Sequence, residues 1–467
     1  MSVNFVCNNI FDNNHILYTY KYLGKEELFI SIRNSTCEIS NKLDIVDLEV
    51  LKSIYYFRCL TIKQIYNKFY KNKYNYSDFL SIKIRYFLTN ELIEEVYFNI
   101  NNVACFLTST GVELVRYHCK LPSNILDEKN KVIKRGYYRA GELKIQEKLI
   151  NHQIHLNQFI LDFDKYMYKL NTALKDNMKL TYNYYDEKHV SKYIDIRPDG
   201  LIELIDVDLF LEMDMCTESK KQLKDKWKHY RSFLFNRKNK LNKKIIVLFI
   251  IDGTDSIENR KKLVKHTISS MIMDVFDNNF ELYIGTRNEI LSLLFQHLIL
   301  KIIQSSYKME EIKKELQKHD FHISNGDVFN RHLSNNNYEY YIRKINNRNT
   351  IVVQNGKIQE FLFDEYLYSP FSVLNKIFYH SRNSSCFKHD YQRDISYIIL
   401  VNDINNLYSD LKTVDLTDIK DVYFTTLERL QKRPLYEALF QIDSMGNLYH
   451  FKNYGLQGRI FEYCLED

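Results

Sequence analysis

The chain has 467 residues, is 45% hydrophobic and 14% aromatic, and carries a formal net charge of +6. It is too long for one ordinary domain and too apolar to be disordered, and its charge is too slight to name a nucleic-acid partner by itself. Its eight cysteines include no Cys-x-x-Cys pair, which excludes the common zinc signatures and points to a reduced, cytoplasmic setting. Residues 1–14 lack the basic and apolar regions of a secretory leader, and no apolar run is long enough to cross a bilayer, so neither export nor a membrane span is expected.

In chain order, residues 1–42 read as a β-rich lead-in, with strand-like runs at 16–22 and 28–32 around Gly24. Residues 43–120 read as a winged helix-turn-helix: helices at 45–57, 62–70 and 77–89, then strands at 94–98 and 103–107. Thr61 and Gln64 form a capping box that starts the second helix. In the third helix Leu80, Ile84 and Leu88 are expected inside and Lys83 and Arg85 outside, with Asn90 closing the helix in a left-handed conformation. Over residues 61–90 the cations Lys63, Lys68, Lys71, Lys73, Lys83 and Arg85 face one anion, Asp78, for a net +5. This local charge suits phosphates, with Ser81, Lys83 and Arg85 as candidate groove contacts, Lys71 and Lys73 as candidate phosphate contacts and Lys63 as a further DNA-binding candidate. A winged helix that binds protein and merely solvates its basic face is the competing reading.

Residues 121–141, charged and containing Pro122, read as a linker. From 142 to 300 the pattern is α/β: a long helix at 142–170, strands near 179–185, 193–196, 201–204 and 209–213, and a helix at 218–235. A buried strand at 245–251, a helix at 256–276 and a strand at 280–284 follow. Residues 301–467 read as a further α/β region, with 334–347 as a loop or exposed strand edge. Residues 281–290 and 421–430 echo one another, each after an apolar strand and an intervening helix. That suggests a degenerate repeat of the preceding α/β half, although strand–helix–strand units look alike in many proteins. The fold class expected is α+β and multidomain.

One constellation carries chemistry. Arg197-Pro198-Asp199-Gly200 is followed by Phe210-Leu211-Glu212-Met213-Asp214 and a lysine-rich helix. A PD-(D/E)xK nuclease core sets an aspartate at one strand and an acidic-x-lysine tripeptide on the next. The carboxylates hold magnesium and the lysine orients the attacking water. Asp199 and Glu212 fit the two acidic positions and are the candidate metal ligands, but Asp214 stands where the lysine belongs. Lys220, Lys221, Lys224 and Lys226 of the next helix are the candidate substitutes, and Asp199, Glu212, Asp214, Lys220 and Lys226 are taken as the catalytic candidates. Thr217 is the expected N-cap of that helix. Residues 217–244 carry a net +9, suited to a nucleic-acid backbone or to a solvated face. Trp227, the only tryptophan, reads as core, and His152 as a packing residue. Glu142 and Glu147 could add a ligand, though nothing selects either. With 12 glycines and no phosphate loop, an ATPase is not expected.

His152 and Asn157, then Arg197-Pro198-Asp199, then Phe210-Leu211-Glu212-x-Asp214-x-x-Thr217-Glu218-Ser219, then Lys226 and Tyr230, resemble the replication-relaxation family. The resemblance covers roughly residues 43–295. It implies a cytoplasmic protein of plasmids and mobile elements in Gram-positive bacteria. It also implies a divergent restriction-endonuclease-like second domain, with double-stranded plasmid DNA as partner. Host replication proteins and a homodimer are compatible with it. The incomplete tripeptide leaves three readings open: a DNA-binding replication protein, a metal-dependent endonuclease or nickase, and a transcriptional regulator or segregation adaptor.

Overall fold

The computed structural model describes residues 43–450 other than 100–101, 127–130, 189–195, 238–242, 254–255, 278, 300–306, 326–337, 346–352, 355–356, 359, 393–394, 417–418, 444 and 446. The proposed lead-in, 1–42, and the tip of the 94–107 hairpin lie outside the described residues. The chain divides into two compact units, 1–192 with 198–205 and 193–197 with 206–467. Both mix helices with sheet, and among the described residues no helix is long and apolar enough to cross a membrane.

The first unit opens with α1, Ile45–Phe57, started by reciprocal side-chain-to-amide bonds between Asp44 and Asp47. Strand β1, Leu60–Thr61, leads into α2, Ile62–Ile65, which runs on as a π-helical turn, Tyr66–Tyr70. The Thr61–Gln64 capping box is formed, at 2.9 and 3.1 Å. The third helical stretch comprises α3, Tyr76–Asp78, a π-helical turn, Phe79–Ile84, and α4, Arg85–Thr89. Its inner face is Phe79, Ile84 and Phe87. Leu80 and Leu88 are only partly buried, because the wider π turn shifts the phase of a face drawn at 3.6 residues per turn. Asn90 keeps φ at −91° and uses its side-chain amide to cap the Tyr86 carbonyl, and the left-handed residue is Glu91, at φ 52°.

Strands β2, Ile93–Asn99, and β3, Asn102–Leu107, pair antiparallel, and β1 adds to the free side of β3. Helix α5, Ser109–His118, follows. Its Gly111 lies so near the preceding turn that a Cβ would fall 2.2 Å from the Leu92 carbonyl oxygen. The segment read as a linker carries a short antiparallel pair, β4, Asn124–Leu126, and β5, Val132–Arg135; strands this short leave no measurable alternation in a sequence.

After α6, Ala140–Leu143, the long helix α7 spans Glu147–Ala173 and buries Ile150, Leu156, Phe159, Ile160 and Phe163. Buried among them is Asn157. Its amide donates to the carbonyls of Phe57, at 3.1 Å, and Cys59, at 2.6 Å, and its oxygen accepts from Gln153 at 3.0 Å. The carbonyls that α1 leaves unpaired as it ends are thus satisfied from α7. Strands β6, Asn183–Asp186, and β7, Gly200–Glu203, pair antiparallel and complete the unit.

The second unit begins with three parallel strands: β8, Val207–Asp214, β9, Lys244–Ile251, and β10, Phe280–Thr286. Helix α8, Lys220–Arg237, joins the first two, and α9, Ile257–Ile272, joins the second and third. β8 and β9 are buried along almost their whole length, as expected of parallel strands covered on both faces. Helix α10, Arg287–Leu293, follows, capped by Thr286.

Further on, a second sheet of seven strands carries the same order at its centre. Its parallel strands β11, Glu360–Tyr366, β12, Ser396–Val401, and β13, Val422–Thr426, are joined by α11, Phe371–Tyr391, and α12, Ile404–Thr413. A short helix, Leu427–Lys432, follows, capped by Thr426. The two segments whose sequences echo, 281–290 and 421–430, therefore hold equivalent places, each a third strand running into a Thr-capped helix.

Replacing Asn157 with Leu is expected to leave two carbonyls buried without donors, a loss of about 2–4 kcal/mol in unit 1. Hydrogen exchange at the α1–β1 junction would speed up while β8 and β9 keep their protection. Unchanged exchange at residues 57–61 would refute this role for Asn157.

Candidate functional site

Residues 210, 212 and 214 share one face of β8, since alternate residues on a strand point the same way. α8 covers that face: Phe210 packs on Tyr230 and Phe233, with ring centroids 6.4 and 6.1 Å apart. Glu212 is 3% exposed. It accepts from the Tyr230 hydroxyl at 2.5 Å and from Lys226 Nζ at 2.9 Å, and Lys226 also reaches Glu218 at 3.0 Å. Of the four lysines the sequence offered, Lys226 is the one that stands on the acid. Lys220 is exposed at the first turn of α8.

Asp214 is also buried, and a different cation holds it. Arg260 of α9 grips both its oxygens, at 2.6 and 2.9 Å, and donates to the Glu218 carbonyl at 2.7 Å. The place where an acidic-x-lysine tripeptide carries its cation is thus filled by an acid that needs one. Arg260 went unnoticed in the sequence because nothing local ties it to Asp214, 46 residues away. The cap of α8 does have a local signal in the sequence. Ser219 and Gln222 exchange side-chain-to-amide bonds, at 2.7 and 3.3 Å, and Ser-x-x-Gln spells a capping box. Thr217 lies outside the helix and is exposed.

In the first unit Asp199 is partly exposed and lies 3.3 Å from His152 Nε2. His152, expected as packing, is 27% exposed at its side chain and belongs with Asp199. Pro198 is buried just before it, and Asn157 is the bridge already described. Nearby on β6, Asp186 lies 3.7 Å from Arg58. Among the described residues no group of three or more His, Cys, Asp or Glu side chains is arranged to hold a metal ion. Both oxygens of Glu212 are engaged by protein donors, so the donor set around it does not fit a magnesium site.

The basic residues of 61–90 divide in two. Lys83, expected outside, has a side chain only 13% exposed and is paired with Asp47 at 2.8 Å and Asp44 at 3.2 Å. Burial draws its pKa down, but hydrogen bonding and charge from Asp47 and Asp44 outweigh that and hold it above the ordinary lysine value. Asp47 also accepts from Tyr70 at 2.5 Å, tying α1 to the second and third helical stretches. Lys68 is paired with Asp164 of α7. Lys63, Lys71, Lys73 and Arg85 are exposed, as is Ser81. The outward field therefore comes from four cations and not six.

Residues 51–248 match the family described as replication-relaxation. The match starts within α1, covers the rest of the first unit and ends within β9. No curated protein and no solved structure matches the chain.

Lys226→Met would leave Glu212 buried with Tyr230 but without its cation, a loss of about 3–5 kcal/mol, and adding Glu212→Gln would restore most of it. Trp227 reports the change in urea. It is fully buried, bonds Thr267 at 3.1 Å and packs on Tyr230 and Phe249, with centroids 5.8 and 5.6 Å away. An unchanged urea midpoint in the single variant would mean that the pair is solvated and contributes nothing.

Proposed function

We propose, on the premise that residues 51–248 belong to the replication-relaxation family, that the protein acts in plasmid replication by binding double-stranded DNA through its first unit. The element order supports this reading: helix, short strand, two helical stretches, then a hairpin whose second strand pairs with the short one. That is the order of a winged helix-turn-helix, with the stretch from Tyr76 to Thr89 in the place of the groove-reading helix. The observation that carries the proposal is the set of exposed cations Lys63, Lys71, Lys73 and Arg85 around that stretch. The second unit's β8–α8–β9 core is read as nuclease-derived, serving DNA or protein contacts. Its acids are held by Lys226, Tyr230 and Arg260 in a closed network.

Counterion release gives the test. Each lysine on a phosphate contributes about 0.9 to the slope of log affinity against log salt. Binding to origin-region duplexes is expected to fall with a slope of about 3–4, and Lys63→Ala, Lys71→Ala and Lys73→Ala should each lower the slope by about one. Lys83→Ala should leave the slope as it is and instead destabilise the unit, since it strands Asp47. Affinity independent of salt, or unchanged in the three variants, would refute DNA binding by this face.

A metal-dependent endonuclease or nickase is the second reading, favoured by one observation: a lysine from α8 does reach the β8 glutamate. Supercoiled plasmid incubated with magnesium or manganese decides it. The reading requires nicking by the wild type that disappears in both Asp199→Ala and Lys226→Ala. Intact plasmid, or nicking that survives either change, removes it.

A further inference from the structure

The stretch from Tyr76 to Thr89 buries Phe79, Ile84 and Phe87 and turns Ser77, Asp78, Ser81, Ile82, Arg85 and Thr89 outward. Among these Ile82 is the anomaly. Its side chain is aliphatic and 51% exposed, with Ser81 beside it and Arg85 about one turn further on. Ile82 lies within the π-helical turn, Phe79–Ile84; such turns are rare and often mark functional positions. A single exposed isoleucine needs no explanation in general. Here it sits between Asp78, Ser81 and Arg85 with exposed cations on either side, and Tyr76, 44% exposed, stands at the start of the stretch.

Resting on the proposed DNA-binding reading, we infer that Ile82 reads the 5-methyl groups of thymine in the major groove and gives the protein a preference for A·T-rich duplex. The major groove displays one apolar group, the thymine methyl, and aliphatic side chains are suited to contact it. Arg85 supplies adjacent hydrogen-bond donors, Ser81, whose hydroxyl donates to the Asp78 carbonyl at 3.2 Å, offers an acceptor, and Lys63, Lys71 and Lys73 supply the charge that holds the helix against the backbone. Asp78 disfavours closer approach of phosphate at the start of the stretch. Its carboxylate accepts from the Asn75 amide at 2.8 Å, which holds it at the N-terminal end of the stretch.

The probe is the duplex itself, so the outcome does not depend on a variant folding. Alternating poly(dA-dT) and poly(dA-dU) pair identically and differ by one methyl per pyrimidine. The full-length protein should bind the thymine polymer more tightly, by about fourfold for each methyl buried against Ile82. Ile82→Ala should bind both polymers alike, at the level of wild type on uracil. Arg85→Ala should weaken both and keep their ratio. Equal affinity of wild type for the two polymers, or a preference that survives Ile82→Ala, overturns the inference while leaving DNA binding standing. No binding to either polymer overturns the DNA-binding reading and this inference with it.

Discussion

Carboxylates buried in a parallel sheet must be given counter-charges, and much of the second unit is arranged around that demand. Glu212 and Asp214 project from the same face of β8 into a space closed by α8 and α9. Each helix delivers one cation, Lys226 from α8 and Arg260 from α9, and Tyr230 supplies a neutral donor between them. Removing a partner from such a pair costs far more than the pair itself contributes, because the remaining charge cannot return to water. The two acids therefore fix how both helices lie on the strand, while Trp227, Phe233 and Phe249 fill the apolar space beside them.

The same solution recurs in the second sheet with different residues. Asp364 is buried on β11, two residues before the end of its ladder with β12, as Glu212 is on β8 with β9. Lys376 from α11 approaches it at 3.1 Å and the Tyr397 hydroxyl donates at 2.8 Å. Burial pushes the Asp364 carboxyl upward, partly offset by the charge of Lys376. An acid on the first parallel strand, a lysine from the following helix and a tyrosine hydroxyl thus appear twice in one chain. α9 and α12, which hold equivalent places in the two halves, meet through an ion pair between Lys265 and Asp410. The acid and the lysine hold matching places in the two halves, while the tyrosine comes from α8 in the first and from β12 in the second.

In the first unit, charge is divided by burial. The segment 61–90 looks strongly basic when counted along the chain, yet Lys68 and Lys83 are paired inside the fold. Lys83 and Arg85 are two residues apart and belong to different environments: one joins the Asp44–Asp47–Tyr70 network, the other faces out. A net charge over a segment overstates the field at its surface whenever some of its cations are structural.

Features that depend on near neighbours were legible in the sequence: the Thr61–Gln64 cap, the apolar periodicity of α7, the run of β8 and β9, and Trp227 as core. So was the pattern around Asp199, Glu212 and Tyr230, which lies within the stretch 51–248 that matches the replication-relaxation family. What escaped depended on partners brought together by folding. Arg260 meets Asp214 across 46 residues and Asp47 meets Lys83 across 36. His152 meets Asp199 only once α7 and the β6–β7 pair have folded. The π turn at Phe79–Ile84 shifted the buried face of its helix, which a 3.6-residue period could not foresee. The sequence by itself determined the longer elements, the motif shared with the replication-relaxation family over residues 51–248 and which residue types carry charge, because caps, periodicity and motifs are encoded within a few turns of chain. Only the tertiary structure decided which charges cancel inside and which remain for a partner, because burial and pairing are properties of segments that meet in space.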